Sequence, residues 1–168
     1  PLAAVQTENS ESRQIQRTKP DTLFGSGGTS LGWGLGAAFG AKLAAPDKTI
    51  VSLMGDGSFI FGCPIPTLWA ADIYQAPFLV IIFNNQLYHA PKRALRAAYG
   101  QESVSEKTGS WVGMDILPSP DFALIAQSCR AYGQTVEDPS ALKSALKKAL
   151  DQVRNGKAAV LDVRIEHP

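Results

Sequence analysis

Two short polar segments hold the residue types needed to bind a hard cation and an anion together. Gly55-Asp56-Gly57-Ser58 offers a carboxylate between glycines and a neighbouring hydroxyl, and Asn84-Asn85 offers side-chain amides. A divalent cation such as Mg²⁺ takes oxygen ligands in near-octahedral geometry. A carboxylate, an amide oxygen and a backbone carbonyl would therefore leave positions for phosphate oxygens and water. Asp56 and Asn85 supply the first two of these. The glycine backbone and the Ser58 hydroxyl could approach a diphosphate with no side chain in the way. Taken singly, each piece also reads as turn chemistry, because Asp-Gly and Asn-Asn are common loop dipeptides. Their shared placement is the informative feature.

Each segment follows the pattern of a buried strand. Thr49–Met54 is a short apolar, β-prone run that stops at Gly55, and Phe78–Phe83 is wholly apolar before Asn84. In open α/β sheets ligands bind beyond the carboxyl ends of the strands, where these loops fall. Between them, Pro64 and Pro66 suit a helix start, Leu68, Trp69, Ala71 and Ile73 continue the helix towards Gln75, and Pro77 closes it. Upstream, glycine dominates Asp21–Gly40, after which Leu35, Ala38, Phe39 and Leu43 keep helical spacing as far as Pro46-Asp47. Downstream, Leu87–Pro120 has no sustained period. It reads as a long, rapidly exchanging loop with a short helix at Lys92–Tyr99.

Asp121 should N-cap a helix running through Tyr132, with Gly133 at its C′ position and a strand at Gln134–Glu137. Asp138 and Pro139 should open a last helix whose apolar face is Leu142, Ala145, Leu146, Ala149, Leu150 and Val153. Gly156 should end it, before a closing strand at Ala158–Ile165. Alternating strands and helices predict the α/β class, a mostly parallel sheet with helices on both faces. Pro1–Pro20 is polar and reads as an interdomain lead-in or linker, with residues 21–168 as the folded domain. Such a beginning looks like a cut within a longer polypeptide.

The 168 residues suit one domain. Sixteen basic and fifteen acidic side chains give a net charge of +1, which removes the electrostatic footprint of a nucleic-acid or anionic-membrane partner. Apolar runs fall far short of the roughly 20 residues that span a bilayer, and no signal pattern opens the chain. A cytoplasmic, unexported protein is expected. Cys63 and Cys129 have no metal-ligand spacing and read as two reduced, packed thiols. Gly32-Trp33-Gly34-Leu35-Gly36-Ala37 meets a relaxed dinucleotide fingerprint, but no convincing strand precedes it. A dinucleotide-binding oxidoreductase domain is therefore a lower-ranked alternative. The phosphate-loop signature of nucleotide hydrolases is missing.

Gly55-Asp56-Gly57-Ser58 followed by Asn84-Asn85 resembles the thiamine diphosphate binding motif. The glycine-rich stretch Gly27–Ala38 looks like the turn and helix that precede that motif in the acetolactate synthase-like branch. The resemblance runs from about Leu23 to Asn85, and more loosely to Ile165. It implies the thiamine diphosphate-binding fold, normally the C-terminal third of a longer enzyme. It further implies that Asp56 and Asn85 hold Mg²⁺ through side-chain oxygens, with Leu87 adding its backbone carbonyl. Gly57 and Ser58 would contact the diphosphate. Leu31 would wedge the cofactor into its bent form, unless it is plain core, and the Thr29 carbonyl would receive the 4′-amino group. The implied activity is that of a transferase or lyase acting on a 2-oxo acid, by decarboxylation with or without carboligation.

The activating glutamate of this family lies on a pyrimidine-binding domain, of the same or a neighbouring subunit, and no residue of this chain matches it. The chain alone is expected to be inactive and to work within a homo-oligomer. A non-catalytic assembly or regulatory module derived from the family is the alternative, and the presence of a flavin (FAD) stays open. The sequence departs from the family at Cys63-Pro64-Ile65-Pro66, where an acidic or polar helix start is usual, and at Gln86–Arg93. That leaves the substrate open. His89 could act as an acid or base, and Lys92, Arg93 and Arg96 could meet a carboxylate or a nucleotide tail, although a solvated loop is the simpler reading of both. Trp33, Trp69 and Trp111 read as packing or subunit contacts.

Overall fold

Apolar runs bounded by turn residues bury both faces only in the middle of a covered parallel sheet, and the two strongest runs of this chain form its centre. The computed structural model describes residues 2–6, 22–25 and 30–166. In chain order the strands are β1 (Leu2–Gln6), β2 (Leu23–Gly25), β3 (Thr49–Gly55), β4 (Leu79–Asn84), β5 (Tyr132–Val136) and β6 (Ala159–Arg164). The helices are α1 (Trp33–Ala44), α2 (Asp56–Phe61), α3 (Pro64–Ile73), α4 (His89–Tyr99), α5 (Val104–Thr108), α6 (Phe122–Ser128) and α7 (Leu142–Arg154). They build one sheet of order β2-β1-β3-β4-β6-β5, parallel at every pairing. The α/β class with helices on both faces is thus as expected.

The two-residue period of the strands divides the core. Ile50, Met54, Val80, Ile82 and Val160 face one side, where Leu35 of α1, Leu68 of α3 and Phe122 of α6 close over them. Val51, Leu79 and Leu161 face the other, against Ala145, Ala149 and Val153 of α7. Each large side chain so buried contributes about 1.5–3 kcal/mol relative to exposure. The register aligns Gly55 at the end of β3 with Phe83 near the end of β4. That alignment sets the two polar segments side by side.

Local devices fix α1 against this sheet. Gly32 takes φ 89° at its N-cap, and a Cβ there would fall 2.6 Å from the Phe61 carbonyl carbon, so only glycine lets α1 and α2 approach. The Ser52 hydroxyl donates to the Gly34 carbonyl. Lys42, buried near the C-terminus of α1, donates from Nζ to the Pro46 and Lys48 carbonyls at 2.7 and 2.8 Å.

Several elements differ from expectation. Leu2–Gln6, expected to lie in a lead-in, is a strand between β2 and β3; the polar average of residues 1–20 hides its short apolar run. Residues 7–21 lie outside the described residues. A short strand, β2, does precede the glycine-rich stretch of the sequence. Asp56 does not sit in an open loop but begins α2 directly. Leu87–Pro120 holds two helices and a 3-10 turn at Gly100–Glu102.

The helix α6 stops at Ser128, not Tyr132, because Arg130 turns left-handed at φ 63°. Gly133 is not a helix cap but part of β5, where a Cβ would meet the Ala123 carbonyl oxygen at 2.1 Å. A 3-10 turn at Pro139–Ala141 precedes α7. Cys63 is exposed rather than packed, whereas Cys129 is buried. Among the described residues no helix is long and apolar enough to cross a membrane.

Candidate functional site

A cleft opens where β3 and β4 end, and the residues singled out by type and spacing meet in it. Leu31, Gly55, Asp56, Gly57, Ser58, Asn85 and Leu87 all border it. Thr29, the remaining expected site residue, lies outside the described residues. Two polar atoms in the cleft stand out. Asp56 is 2% exposed, and its Oδ1 accepts from the Gly57 N–H at 3.0 Å, but its Oδ2 is buried with no partner. Ser58 Oγ is likewise buried and unpartnered. Buried polar groups are nearly always satisfied, so two orphans in one short turn point to a group that belongs there. Burial raises the Asp56 pKa, and the backbone N–H groups of Gly57 and Gln86 oppose the rise without cancelling it.

The second segment is folded by its own asparagines. Asn84 Oδ1 accepts from the Gln86 N–H and Asn85 Oδ1 from the Leu87 N–H, each at 3.1 Å, which makes two successive side-chain-capped turns. Gln86 sits between them at φ 60°. The turn is strapped to a later segment, where the Ile116 N–H donates to the Gln86 carbonyl and the Tyr88 N–H to the Met114 carbonyl. The Leu87 carbonyl accepts from the His89 N–H at 3.0 Å and keeps a second lone pair.

Leu31 is 41% exposed and edges the cleft, so the plain-core alternative for it does not hold. His89 and Tyr88 also line the cleft. Burial and the charges of Arg93, Lys92 and Arg96 lower the His89 pKa, which keeps the imidazole neutral near pH 7. The basic side chains of α4 turn outward, with Lys92 and Arg96 over the Trp111 ring at 5.1 and 5.3 Å and Arg96 also paired with Glu106. They do not border the cleft.

Tyr88 and Asp162 are absent from the sequence-based site. The Tyr88 ring lies over Gly57, where a Cβ would come within 2.3 Å of Cε1, and edge-on to Phe61. Burial and the Asp56 charge raise its pKa. Asp162 on β6 is fully buried and accepts from Asn84 Nδ2 at 2.8 Å. Its one sequence signal is a carboxylate within the apolar run Ala158–Val163. Among the described residues no three His, Cys, Asp or Glu side chains cluster as a metal centre. The donor set expected here contains only one carboxylate.

Comparison with known proteins gives consistent results. The family described as "Thiamine pyrophosphate enzyme, C-terminal TPP binding domain" matches residues 6–163. The acetolactate synthase isozyme 3 large subunit of Escherichia coli (strain K12) is 34% identical over 149 residues, which cover 88% of this chain and 24% of that protein. Benzoylformate decarboxylase of Pseudomonas aeruginosa is 33% identical over 138 residues, covering 82% of this chain and 24% of that protein. Among solved structures, the thiamine diphosphate-dependent 4-hydroxybenzoylformate decarboxylase of Rhodococcus jostii RHA1 aligns with a TM-score of 0.78 and 30% identity. That alignment covers 98% of this chain and 29% of the other. The chain thus spans about a quarter of the length of the curated relatives it matches.

Proposed function

From the premise that the chain belongs to the thiamine pyrophosphate enzymes, as their C-terminal TPP-binding domain, we propose that Asp56, Asn85 and the Leu87 carbonyl hold Mg²⁺. The ion, with Gly57 and Ser58, would anchor the diphosphate of the cofactor. The observation behind this reading is the pair of buried, unpartnered oxygens, Asp56 Oδ2 and Ser58 Oγ. A carboxylate oxygen can accept but not donate, so one buried without a full hydrogen bond is suited to a cation. A hydroxyl can donate to a phosphate oxygen. All three proposed ligands are hard oxygens, few enough to leave Mg²⁺ positions for phosphate and water. The Asn85 and Leu87 oxygens each accept one hydrogen bond and retain a lone pair. The Gly57 N–H, already donating to Asp56 Oδ1, holds that carboxylate in place with Oδ2 turned away from it.

When bound, thiamine diphosphate supplies a carbon nucleophile and an electron sink for cleaving the bond beside a 2-oxo acid's carbonyl. This chain's part is to bind and orient. Leu31 offers an apolar edge against which the cofactor's middle can fold, and the Thr29 carbonyl is the proposed acceptor for its 4′-amino group. His89, neutral at the cleft wall, can accept a hydrogen bond there. The activating carboxylate is proposed to come from a separate pyrimidine-binding domain. The exposed apolar face of α3 is where such a partner, or a second copy, would dock. Ile65, Trp69 and Ile73 recur every four residues on one face and are 58%, 60% and 53% exposed. The proposed substrates are 2-oxo acids, with decarboxylation or carboligation as the outcome.

Calorimetry on the intact protein tests the reading. Thiamine diphosphate should bind only with Mg²⁺ present, and Asp56→Ala should weaken uptake at least tenfold. No uptake by the unaltered protein, or undiminished uptake by the variant, would refute it.

A further inference from the structure

The face of β6 that carries Ala158 and Val160 into the apolar cluster places Asp162 next along the same row, fully buried. A carboxylate in that position is unfavourable unless something uses it. Its Oδ1 accepts from Asn84 Nδ2 at 2.8 Å. Its Oδ2 lies 3.3 Å from Arg164 Nη2, within ion-pair range but without a hydrogen bond. Asn84 is itself fully buried at the end of β4, and its second amide hydrogen points to Ser119 Oγ at 3.3 Å.

We propose that Asp162 is a positioning residue which, acting through Asn84, sets the turn that presents Asn85 and Leu87 to the cation. The inference rests on the cation reading given above. An amide has two ends, and a carboxylate accepts hydrogen bonds but cannot donate them, so only the NH₂ end of Asn84 can face Asp162. That orientation forces Asn84 Oδ1 the other way, onto the Gln86 N–H at 3.1 Å. Gln86 is thereby held at φ 60°, a left-handed conformation that residues with side chains rarely adopt. Once Gln86 is turned, Asn85 Oδ1 caps the Leu87 N–H, and Leu87 borders the cleft. The strap from Met114 and Ile116 holds the far side of the same turn. Three strands thus converge on it: β4 supplies Asn84, β6 orients that side chain, and β3 ends in Asp56, whose carboxylate also feels the Gln86 N–H. Asp162 does not border the cleft. It acts as a hydrogen-bond acceptor, deciding which end of a neighbouring amide points where.

The test compares the intact protein with Asp162→Ser, which cannot reach Asn84, and Asp162→Asn, whose carbonyl oxygen can still accept from it. Asp162→Leu replaces the serine variant should that one fail to fold. Two readouts are taken. The first is amide hydrogen exchange at Gln86 and Leu87 in metal-free protein, referenced to Val51 and Leu79 in the central strands. The second is Mg²⁺ affinity by calorimetry at fixed thiamine diphosphate. Asp162→Ser should speed exchange at Gln86 and Leu87 at least tenfold, leave the central strands within twofold, and weaken Mg²⁺ at least tenfold. Asp162→Asn should stay within about threefold on both. A folded serine or leucine variant with unaltered Gln86 exchange overturns the inference, and so does exchange that rises uniformly across the sheet. If the unaltered protein takes up no Mg²⁺, the cation reading fails, while Gln86 exchange still decides whether Asp162 sets the turn.

Discussion

Replacing Asp56 by Asn should move stability in opposite directions with and without ligand. In the ligand-free protein Oδ2 is a buried acceptor with no partner, and burial raises the carboxyl pKa. The site disfavours the charged form of this side chain. The amide keeps the Oδ1 acceptor for the Gly57 N–H and removes the charge. The amide NH₂ is also without a partner where Oδ2 was, so the gain is what a charged buried group costs beyond a neutral one, on the order of 1–3 kcal/mol. Asp56→Asn should therefore raise ligand-free stability by about 1–3 kcal/mol at pH 7, a shift of about 2–4 °C per kcal/mol for a domain of 150–250 residues.

The sign of the pH dependence follows from the direction of the shift. A carboxyl whose folded pKa is raised favours folding below its unfolded value, near 3.9, and loses that advantage as pH rises through the folded value. The gain in the variant should then be full above the folded pKa and fade as pH falls through it. With Mg²⁺ and thiamine diphosphate at 100 times their dissociation constants, the parent protein should gain about 2.7 kcal/mol that the variant lacks. Urea denaturation of the intact protein at several pH values, with and without ligands, measures both effects. A ligand-free variant less stable than the parent at pH 7 would refute the account of Asp56, as would one that keeps the ligand-induced gain.

Other substitutions probe separate parts of the site. Gly57→Ala sets a methyl within 2.3 Å of the Tyr88 ring; overpacking of this kind costs about 1–3 kcal/mol, and adding Tyr88→Ala should restore stability in urea titrations, whereas a persisting loss would show that the ring is not the obstacle. Leu31→Ala should leave the ligand-free melting curve within about 0.5 kcal/mol, as for exposed sites, and weaken thiamine diphosphate binding at least tenfold by calorimetry; unchanged affinity removes the wedge role. Lys42→Met forfeits two bonds to carbonyls, each of the charge-assisted class worth about 1.5–3 kcal/mol, so chemical denaturation should show a loss of at least 2 kcal/mol with cofactor affinity unaltered, and a smaller loss would mean that solvent replaces those bonds.

Which parts of this architecture are legible in the amino-acid sequence depends on how local their causes are. The central strands β3 and β4 can be read from continuous apolar runs, and the cleft from the polar residues that end them, because a strand and its stop signal are neighbours along the chain. The same holds for the caps at Asp121 and Asp138, whose carboxylates accept from Leu124 and Ser140 N–H groups two or three residues on. Gly133, β1 and Tyr88 are different. Gly133 looks like a helix stop until the approach of the Ala123 carbonyl shows that no Cβ fits there. Leu2–Gln6 is only a short apolar run until β3 offers it a partner. Tyr88 is a loop tyrosine until its ring is found over Gly57. The helices of 89–108 bury no residue completely and carry no run of large apolar side chains to mark them.

Residue types and spacing thus determined which oxygens are on offer and at which strand ends. Tertiary structure alone decided that Asp56 would be buried with one oxygen unpaired, and that Asp162, far along the chain, would face Asn84 across β4 and β6. The physical reason is that hydrogen-bond satisfaction and burial are properties of a point in space. The points in question are filled by segments many residues apart, and no local pattern records their meeting.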